Sequence, residues 1–363
     1  METQLTEDRM NTEPLEPMVS VIIVSWNARA YLLQCLASLT SEACRYPMEV
    51  VVVDNASSDG SAEAVSAGFP RVRLICNAAN LGFAKANNIG ISVAKGRYMC
   101  LLNSDVKVLP DCISQLVDYC EQHPGAGMVG PRIIGRDGKL QRTCRGFPGL
   151  WNMLFRALAL DTLFSRSRWL NGFLLNHWPQ DCLRQVDMLT GCFWLVRRQA
   201  LAQVGLLDER FFMYGEDMDW CKRFWLKGWQ LTFVPSAEAV HYGGASSSNA
   251  PVRFYIERHR ADLQYWDKHH SRPAVFCFFL VCCLHLVLRA LGYSVAFVFK
   301  SRERAIYGYK VKRSVACIRW MLLDGIKQWN WLSKPALAGY GGNGLTEKFT
   351  SGQVGEPLVV NPE

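Results

Sequence analysis

Along the first hundred positions, continuous apolar runs alternate with segments whose apolar residues recur every three or four. VSVIIVSW (19–26), MEVVVVDN (48–55), VRLICN (72–77) and RYMCLLN (97–103) have the unbroken hydrophobicity of strands buried on both faces. Between them Tyr31, Leu32, Cys35, Leu36 and Leu39 fall at helical spacing. Ser61 to Val65 predicts a short helix, and Phe83, Ala86, Ile89 and Val93 mark a third. This alternation, with short connections, predicts a parallel sheet covered by helices on both faces and wound through right-handed crossovers. From about Gly125 the rhythm breaks. Residues 141–186 are rich in Trp, Leu, Phe and Arg without a clean strand period. VDMLTGCFWLVRR (186–198) is expected to form a strand pair, followed by a helix through Trp220, Cys221, Phe224 and Trp225. LTFVP (231–235) has strand character and leads into AVHYGGASSS.

Further on the pattern changes again. AVFCFFLVCCLHLVL (274–288) is almost wholly apolar, and ALGYSVAFVF follows Arg289. Neither half reaches the roughly 20 residues that span a bilayer, and His285 and Arg289 interrupt the run. Charge adds to the picture. Arg253 to Lys334 holds fifteen Lys/Arg against five Asp/Glu, an excess larger than the whole-chain +8, so the remainder is slightly acidic. A basic block beside greasy helices is expected to lie on or in the membrane interface, with Lys/Arg on anionic lipid. A buried core helix is the alternative. A nucleic-acid partner is not expected, since no recognised motif accompanies the charge. Fourteen cysteines without a C-x-x-C pair argue for reduced thiols and a cytosolic face rather than a metal or disulfide scaffold. METQLTEDRMNTEPLEP is polar and acidic, unlike a signal peptide.

Four predicted strands end in polar residues: Ser25-Trp26-Asn27, Asp54-Asn55-Ala56-Ser57-Ser58-Asp59-Gly60, Asn77 to Gly82, and Asn103-Ser104-Asp105. Each alone fits a turn or a helix cap. In a parallel sheet, however, the four ends gather along the edge where open α/β sheets bind ligands. They would offer hydrogen-bonding groups for a base and ribose and a carboxylate for a hard cation. A glycine phosphate loop is not available for this purpose. The single G-x-G-x-x-G match, Gly339 to Gly344, has no strand before it.

Two further groups stand out. In LLDERFFMYGEDMDWCKRFW (206–225), Glu216 and Asp217 follow Gly215 at a helix start. There they either complement the helix dipole or supply a general base, and Asp219–Arg223 fits an ordinary i,i+4 pair. His241 at a strand end is either structural or a metal ligand.

Taken in order and spacing, VSVIIVSWNARAYLLQCLASL, VVVDNASSDGS, NLGFAKANNIG, LLNSD, GEDMDWCKR and HYGGASS resemble glycosyltransferase family 2. The likeness is to the rhamnosyltransferase-like members that build bacterial cell-surface polysaccharides, from about Val19 to Ser248. The resemblance implies a GT-A fold at 18–250, with a nucleotide half at about 18–125 and an acceptor half at about 126–250. It leaves a polar tail at 1–17, a basic membrane-associated helical region at 251–334 and a flexible tail at 335–363. It further implies that Asp54 contacts the nucleobase while Asn80, Gly82 and Asn87 line the nucleotide cleft. Ser25, Asn55, Asn103 and Ser104 complete the nucleotide-binding set. Asn103-Ser104-Asp105 occupies the Asp-x-Asp position with Asn in place of the first carboxylate. Asp105 and His241 would ligate Mg2+ or Mn2+ across the diphosphate, Asp217 would be the catalytic base, and Glu216 an acceptor contact. The implied partners are a nucleotide diphosphate sugar and a lipid-linked or oligosaccharide acceptor at the cytoplasmic face of the membrane. A non-catalytic sugar-nucleotide-binding or scaffold subunit is the alternative. The aromatic stretch Phe147–Trp178 either meets lipid or packs as loop. Oligomeric state is not legible.

Overall fold

The computed structural model describes residues 17–40, 44–243, 251–325 and 358–360. The N-terminal tail before Pro17, the Gly244–Ser247 end of the HYGGASS motif, the Gly339–Gly344 match and most of 335–363 lie outside the described residues.

Strands β1 (Val19–Ser25), β2 (Met48–Asp54), β3 (Arg73–Cys76) and β4 (Tyr98–Asn103) are mutually parallel in the order β3-β2-β1-β4. Helices α1 (Arg29–Thr40), α2 (Ser61–Gly68) and α3 (Phe83–Val93) make the crossovers. Both faces are covered because the strand residues are apolar in both directions. Ile22, Met99 and Leu101 join one buried cluster, and Val21, Ile23, Cys100 and Leu102 join the other. The strand order reverses direction at β1 and β4, which opens a crevice at their carboxyl ends.

Beyond β4 the architecture departs from a purely parallel sheet. A short β5 (Val106–Val108) and α4 (Cys112–Gln122) precede β6 (Ala126–Gly135), whose hairpin partner is β7 (Leu140–Gln141). After β8 (Cys144–Arg145) come α5 (Leu150–Ala157) and α6 (Leu160–Leu163), then β9 (Arg184–Gln185), β10 (Met188–Leu189) and β11 (Phe193–Arg197). The expected strand pair at 186–198 is not one. β10 pairs with β8 in a separate two-stranded ribbon, while β11 enters the main sheet antiparallel between β4 and β6. The intervening turn cannot close a hairpin because its two flanks belong to different sheets. β6 lacks a strand signature in the sequence because it carries Gly127, Gly130 and Pro131. Those glycines answer to tertiary contacts: a Cβ on Gly127 would sit 2.8 Å from Trp229 Cβ, and one on Gly130 3.2 Å from a Leu189 methyl.

Helices α7 (Arg198–Val204) and α8 (Glu216–Leu226) precede β12 (Gln230–His241). β12 extends well past the predicted 231–235, through a register shift between Val234 and Glu238 that accommodates Pro235. It runs parallel to β6 and antiparallel to β5. β13 (Leu358–Val360) adds an antiparallel strand beside β3. Three helices close the chain: α9 (Pro251–His269), α10 (Arg272–Phe299) and α11 (Arg304–Trp320). The two apolar halves join through Arg289 into one 28-residue helix, about 42 Å long at 1.5 Å per residue. By length and composition α10 is sufficient to cross a membrane. Val275, Phe278, Phe279, Cys282 and Leu286 pack inward, with Phe278 stacked on Trp266 of α9 at 4.4 Å. Phe276, Leu280, Leu284, Leu288, Leu291 and Val295 remain exposed on the other side.

Candidate active site

Register assembles the site. Ser25 lies opposite Asp54 across β1–β2, Asp54 opposite Cys76 across β2–β3, and Val24 opposite Asn103 across β1–β4. Three of the polar strand ends therefore share one edge, with the Asn77–Gly82 loop continuing from β3. Asp54 is buried. One carboxylate oxygen accepts the Ser57 N–H at 2.9 Å, while the other, like the Ser25 hydroxyl, is buried without a hydrogen-bond partner. Such groups are costly unless a ligand completes them.

The neighbouring amides have a different task. Asn55 uses its whole side chain on the protein: its amide donates to Asn80 Oδ1 at 2.9 Å and Gly82 O at 3.2 Å, and its oxygen accepts from Asn77 and Leu81. It shapes the loop. Asn80 Oδ1 also accepts the Gly82 N–H at 3.0 Å, and the buried Asn87 donates to Phe83 O at 2.9 Å. Gly82 is held at φ +84° with a Cβ position already filled by Phe212, whose carbonyl accepts the Phe83 N–H at 2.7 Å. Only glycine fits that approach.

Asn103-Ser104-Asp105 is the turn between β4 and β5, with Ser104 and Asp105 buried. His241 pairs with Val106 in the β12–β5 ladder, which brings His241 Nε2 within 3.2 Å of Asp105 Oδ1. Nε2 is buried and makes no hydrogen bond there, while Nδ1 lies 3.0 Å from Gln141 Oε1. Gln141 Oε1 accepts from the Nδ1 side of the ring and so orients His241, leaving Nε2 directed at Asp105. A cation fits this donor set of one carboxylate oxygen and one imidazole nitrogen. Among the described residues no cluster of three or more His, Cys, Asp or Glu occurs, so the remaining positions of a coordination shell would fall to ligand oxygens or water. Gln141, on a two-residue strand, carries no sequence signal for this role.

Glu216 and Asp217 open α8. Gly215, at φ +78°, permits the start: a Cβ there would come within 2.9 Å of Ala261 on α9. Glu216 is buried with Oε2 unpartnered. Burial, followed by the adjacent Asp217 charge, raises its pKa well above the carboxylate range. Burial raises Asp217 as well, opposed by the N–H groups of Met218 and Gly191 and by the charges of Arg258 and Arg145. Gly191 is the link between the two acidic groups. Its successor Cys192 accepts the Asn103 N–H at 2.9 Å, and burial with the Asp105 charge holds the Cys192 thiol protonated. The metal-ligand candidate and the base candidate thus flank one turn, Gly191-Cys192.

Asp219 is more than a surface helix pair. It is wholly buried, bonded to Arg223 at 2.9 Å, Lys268 at 2.6 Å and His269 at 2.8 Å, and its pKa is lowered by His269, Arg223 and Lys268 against the opposing effect of burial. It pins α8 to the end of α9. Asn88 does similar work from α3, donating to Leu207 O at 2.9 Å and accepting from Leu207 N at 3.1 Å. Lys268 and His269 lie far from Asp219 in the sequence, as Leu207 does from Asn88, which hides both roles from local patterns.

Known proteins are similar to this chain in fold and in sequence. A mannosyltransferase from Pyrobaculum calidifontis, solved in complex with GDP-Man and Mn2+, superposes with a TM-score of 0.51 at 17% identity, covering 86% of this chain and 88% of that one. The N-acetylglucosaminyl-diphospho-decaprenol L-rhamnosyltransferase of Mycobacterium tuberculosis (strain ATCC 25618 / H37Rv) is 32% identical over 265 residues, 70% of this chain and 85% of the relative. Rhamnosyltransferase WbbL of Escherichia coli K12 is 26% identical over 238 residues, 62% of this chain and 83% of its own. The family description "Glycosyl transferase family 2" matches residues 20–205, from β1 through α7. With the sheet edge, the fold and these relatives in agreement, the chain belongs to glycosyl transferase family 2, in its rhamnosyltransferase-like branch, and is a glycosyltransferase of GT-A fold.

Proposed function

We propose that this enzyme transfers rhamnose, with inversion at the anomeric carbon, from a nucleotide diphosphate donor to a saccharide carried on a lipid diphosphate. The observation that carries the reading is the common turn Gly191-Cys192, which touches Asn103 on the donor side and Asp217 on the acceptor side. The rhamnosyl group is taken from the names of both the M. tuberculosis and E. coli relatives, and the diphospho-lipid acceptor from that of the M. tuberculosis relative alone. Thymidine diphosphate rhamnose is the corresponding donor.

In this reading the free oxygen of Asp54 accepts from the base, and Ser25 adds a hydroxyl beside it. Asp105 and His241 would hold Mg2+ or Mn2+, which when bound supplies positive charge against the departing diphosphate. Asp217 takes the proton of the attacking acceptor hydroxyl, a step for which a raised carboxylate is better matched than an ordinary one. Glu216, kept neutral by burial, can donate a hydrogen bond to the acceptor. One base and one leaving group make a single displacement, hence inversion. The exposed apolar face of α10 and the basic helices beside it suit the cytoplasmic face of a membrane, where the lipid end of such an acceptor resides.

The test has two stages. Thermal stabilisation by a panel of nucleotide sugars is measured with and without Mn2+, then transfer to N-acetylglucosaminyl-diphospho-polyprenol is followed by the anomeric configuration of the product. Metal-dependent stabilisation by thymidine diphosphate rhamnose and an inverted product are expected. No response to any nucleotide sugar, or retained configuration, would overturn the reading.

A further inference from the structure

Several inward-facing arginines of this chain donate to carbonyls or carboxylates. Arg197 donates to Ala126 O at 3.0 Å, Arg198 to Gly96 O and Ala94 O at 2.7 Å, and Arg223 to Asp219 and to the Val204 and Leu206 carbonyls. Four arginines without such partners among the described residues gather on the Asp217 side of the cleft: half-buried Arg145 on β8, Arg156 on α5 and Arg289 on α10, and the more exposed Arg258 on α9. Among the described residues none of the four has a carboxylate within 4.0 Å. Arg145 and Arg156 share the ring of Phe173, at 5.8 and 5.7 Å from its centroid. Arg258 lies 4.8 Å over the ring of Tyr214, two residues before Glu216. Nη1 of Arg156 is buried with no hydrogen-bond partner.

The electrostatics of the cluster agree with the geometry. Burial, then mutual repulsion, draws Arg145 below the ordinary arginine pKa. Burial does the same for Arg156, which feels Arg258 and Arg289 as well. A guanidinium keeps its proton near neutrality, so at Arg145 and Arg156 the cost of burying a charge with no bonded carboxylate persists until an anion arrives. The acids in reach are Asp217, Asp161 and Asp262, and burial pushes Asp262 up to about 6. They do not balance four cations at bonding distance. In the function proposed above, the donor diphosphate is assigned to the cation held by Asp105 and His241, across the Gly191-Cys192 turn. Meanwhile α5 and α10, which bring in Arg156 and Arg289, also present exposed Trp151, Leu280, Leu284 and Leu288.

We propose that Arg145, Arg156, Arg258 and Arg289 form a metal-independent site for the diphosphate that joins the acceptor saccharide to its lipid. The site sets the saccharide at Asp217 and the hydrocarbon along α10. Guanidinium forks match phosphate oxygens, and two linked phosphates offer enough acceptors for four of them. The identity of the diphosphate rests on the lipid-linked acceptor proposed above, while the anion site itself does not.

The experiment uses the full chain in detergent with inorganic pyrophosphate as probe and EDTA present, so that the cation-dependent donor site is silent. Calorimetry is expected to give equal binding for parent and Asp105→Ala, and at least about tenfold weaker binding for Arg156→Gln and for Arg258→Gln. Without anion, Arg156→Gln is expected to raise Tm, whereas a purely structural arginine would lower it. Binding to phosphatidylglycerol vesicles is expected to be unchanged in both variants, and in transfer assays acceptor KM is expected to rise about tenfold at constant donor KM. Equal pyrophosphate affinity in parent and variants would overturn the site. So would variants that lose only vesicle binding, which would make these arginines a contact for bilayer headgroups. If pyrophosphate binding depends on the arginines yet no lipid-linked saccharide is ever glycosylated, the functional reading fails and the anion site stands.

Discussion

Asp217→Asn isolates proton abstraction from everything else the carboxylate does. The amide keeps an oxygen for the Met218 N–H, bonded at 2.8 Å in the parent. It loses the second acceptor that faces the Gly191 N–H, at about 1–3 kcal/mol for an unpaired buried group. Against that, a carboxylate raised by burial no longer has to be charged beside Glu216, which relieves a repulsion of the opposite sign. The two effects oppose, so folding stability should shift by less than about 2 kcal/mol. The catalytic effect is larger. Loss of a general base typically costs 10²–10⁴ in rate, or about 2.7–5.4 kcal/mol of barrier. Transfer of labelled sugar measured beside donor binding should therefore show kcat down by at least about a hundredfold with donor affinity kept. The pH profile supplies an independent check. The base must be deprotonated, and its pKa is raised, so kcat/KM of the parent should fall on acidification from a pH above the ordinary carboxylate value of about 4. In the variant that acid limb should vanish. A kcat within about threefold of the parent, or a loss matched by lost donor binding or lost folded protein, would refute the assignment.

Asp105→Ala should abolish the Mn2+-dependent part of nucleotide stabilisation. Gln141→Leu, which frees the His241 ring, should weaken the apparent metal affinity about 10–100-fold; a metal titration identical to that of the parent would dismiss the site. Asp219→Asn leaves Lys268 with Asp208 at 2.7 Å but strips the wholly buried carboxylate of its charge. Chemical denaturation should register about 3–5 kcal/mol lost. Asp219 is a depressed acid, so its contribution is present above the unfolded carboxylate pKa and lost as pH falls below it. Asp262 has the opposite sign. Burial lifts it to about 6 despite Arg258 and Arg156, with Asp217 adding to the rise, so the folded state holds a proton that the unfolded state has released between about 4 and 6. Its contribution to stability should decline as pH rises through that window, and Asp262→Asn should flatten the decline in a Tm–pH series.

The sequence alone determined the parallel strands β1 to β4 and the polar ends they carry. Strands buried on both faces must be apolar at every position, so β1, β2 and β4 announce themselves, and a residue that breaks the run, such as Asp54 or Asp105, marks the edge where the strand leaves the core. Chain-local chemistry of that kind is legible without coordinates, as is the pairing of Glu216 and Asp217 behind a glycine. Tertiary structure decided what depends on neighbours distant in the chain. β6 was masked by glycines whose purpose is to admit Trp229 and Leu189, and the 186–198 segment splits between two sheets because its pairing partners, β8 and β4, lie far upstream. Asn55 looked like a ligand contact and proves to hold a loop, since a side-chain amide has the same character whether its partner is solute or backbone. Asp219 read as an ordinary i,i+4 partner of Arg223, whereas α9 adds Lys268 and His269 to the same carboxylate. The four arginines with no carboxylate within 4.0 Å among the described residues come from four separate elements, and only packing brings their charges together.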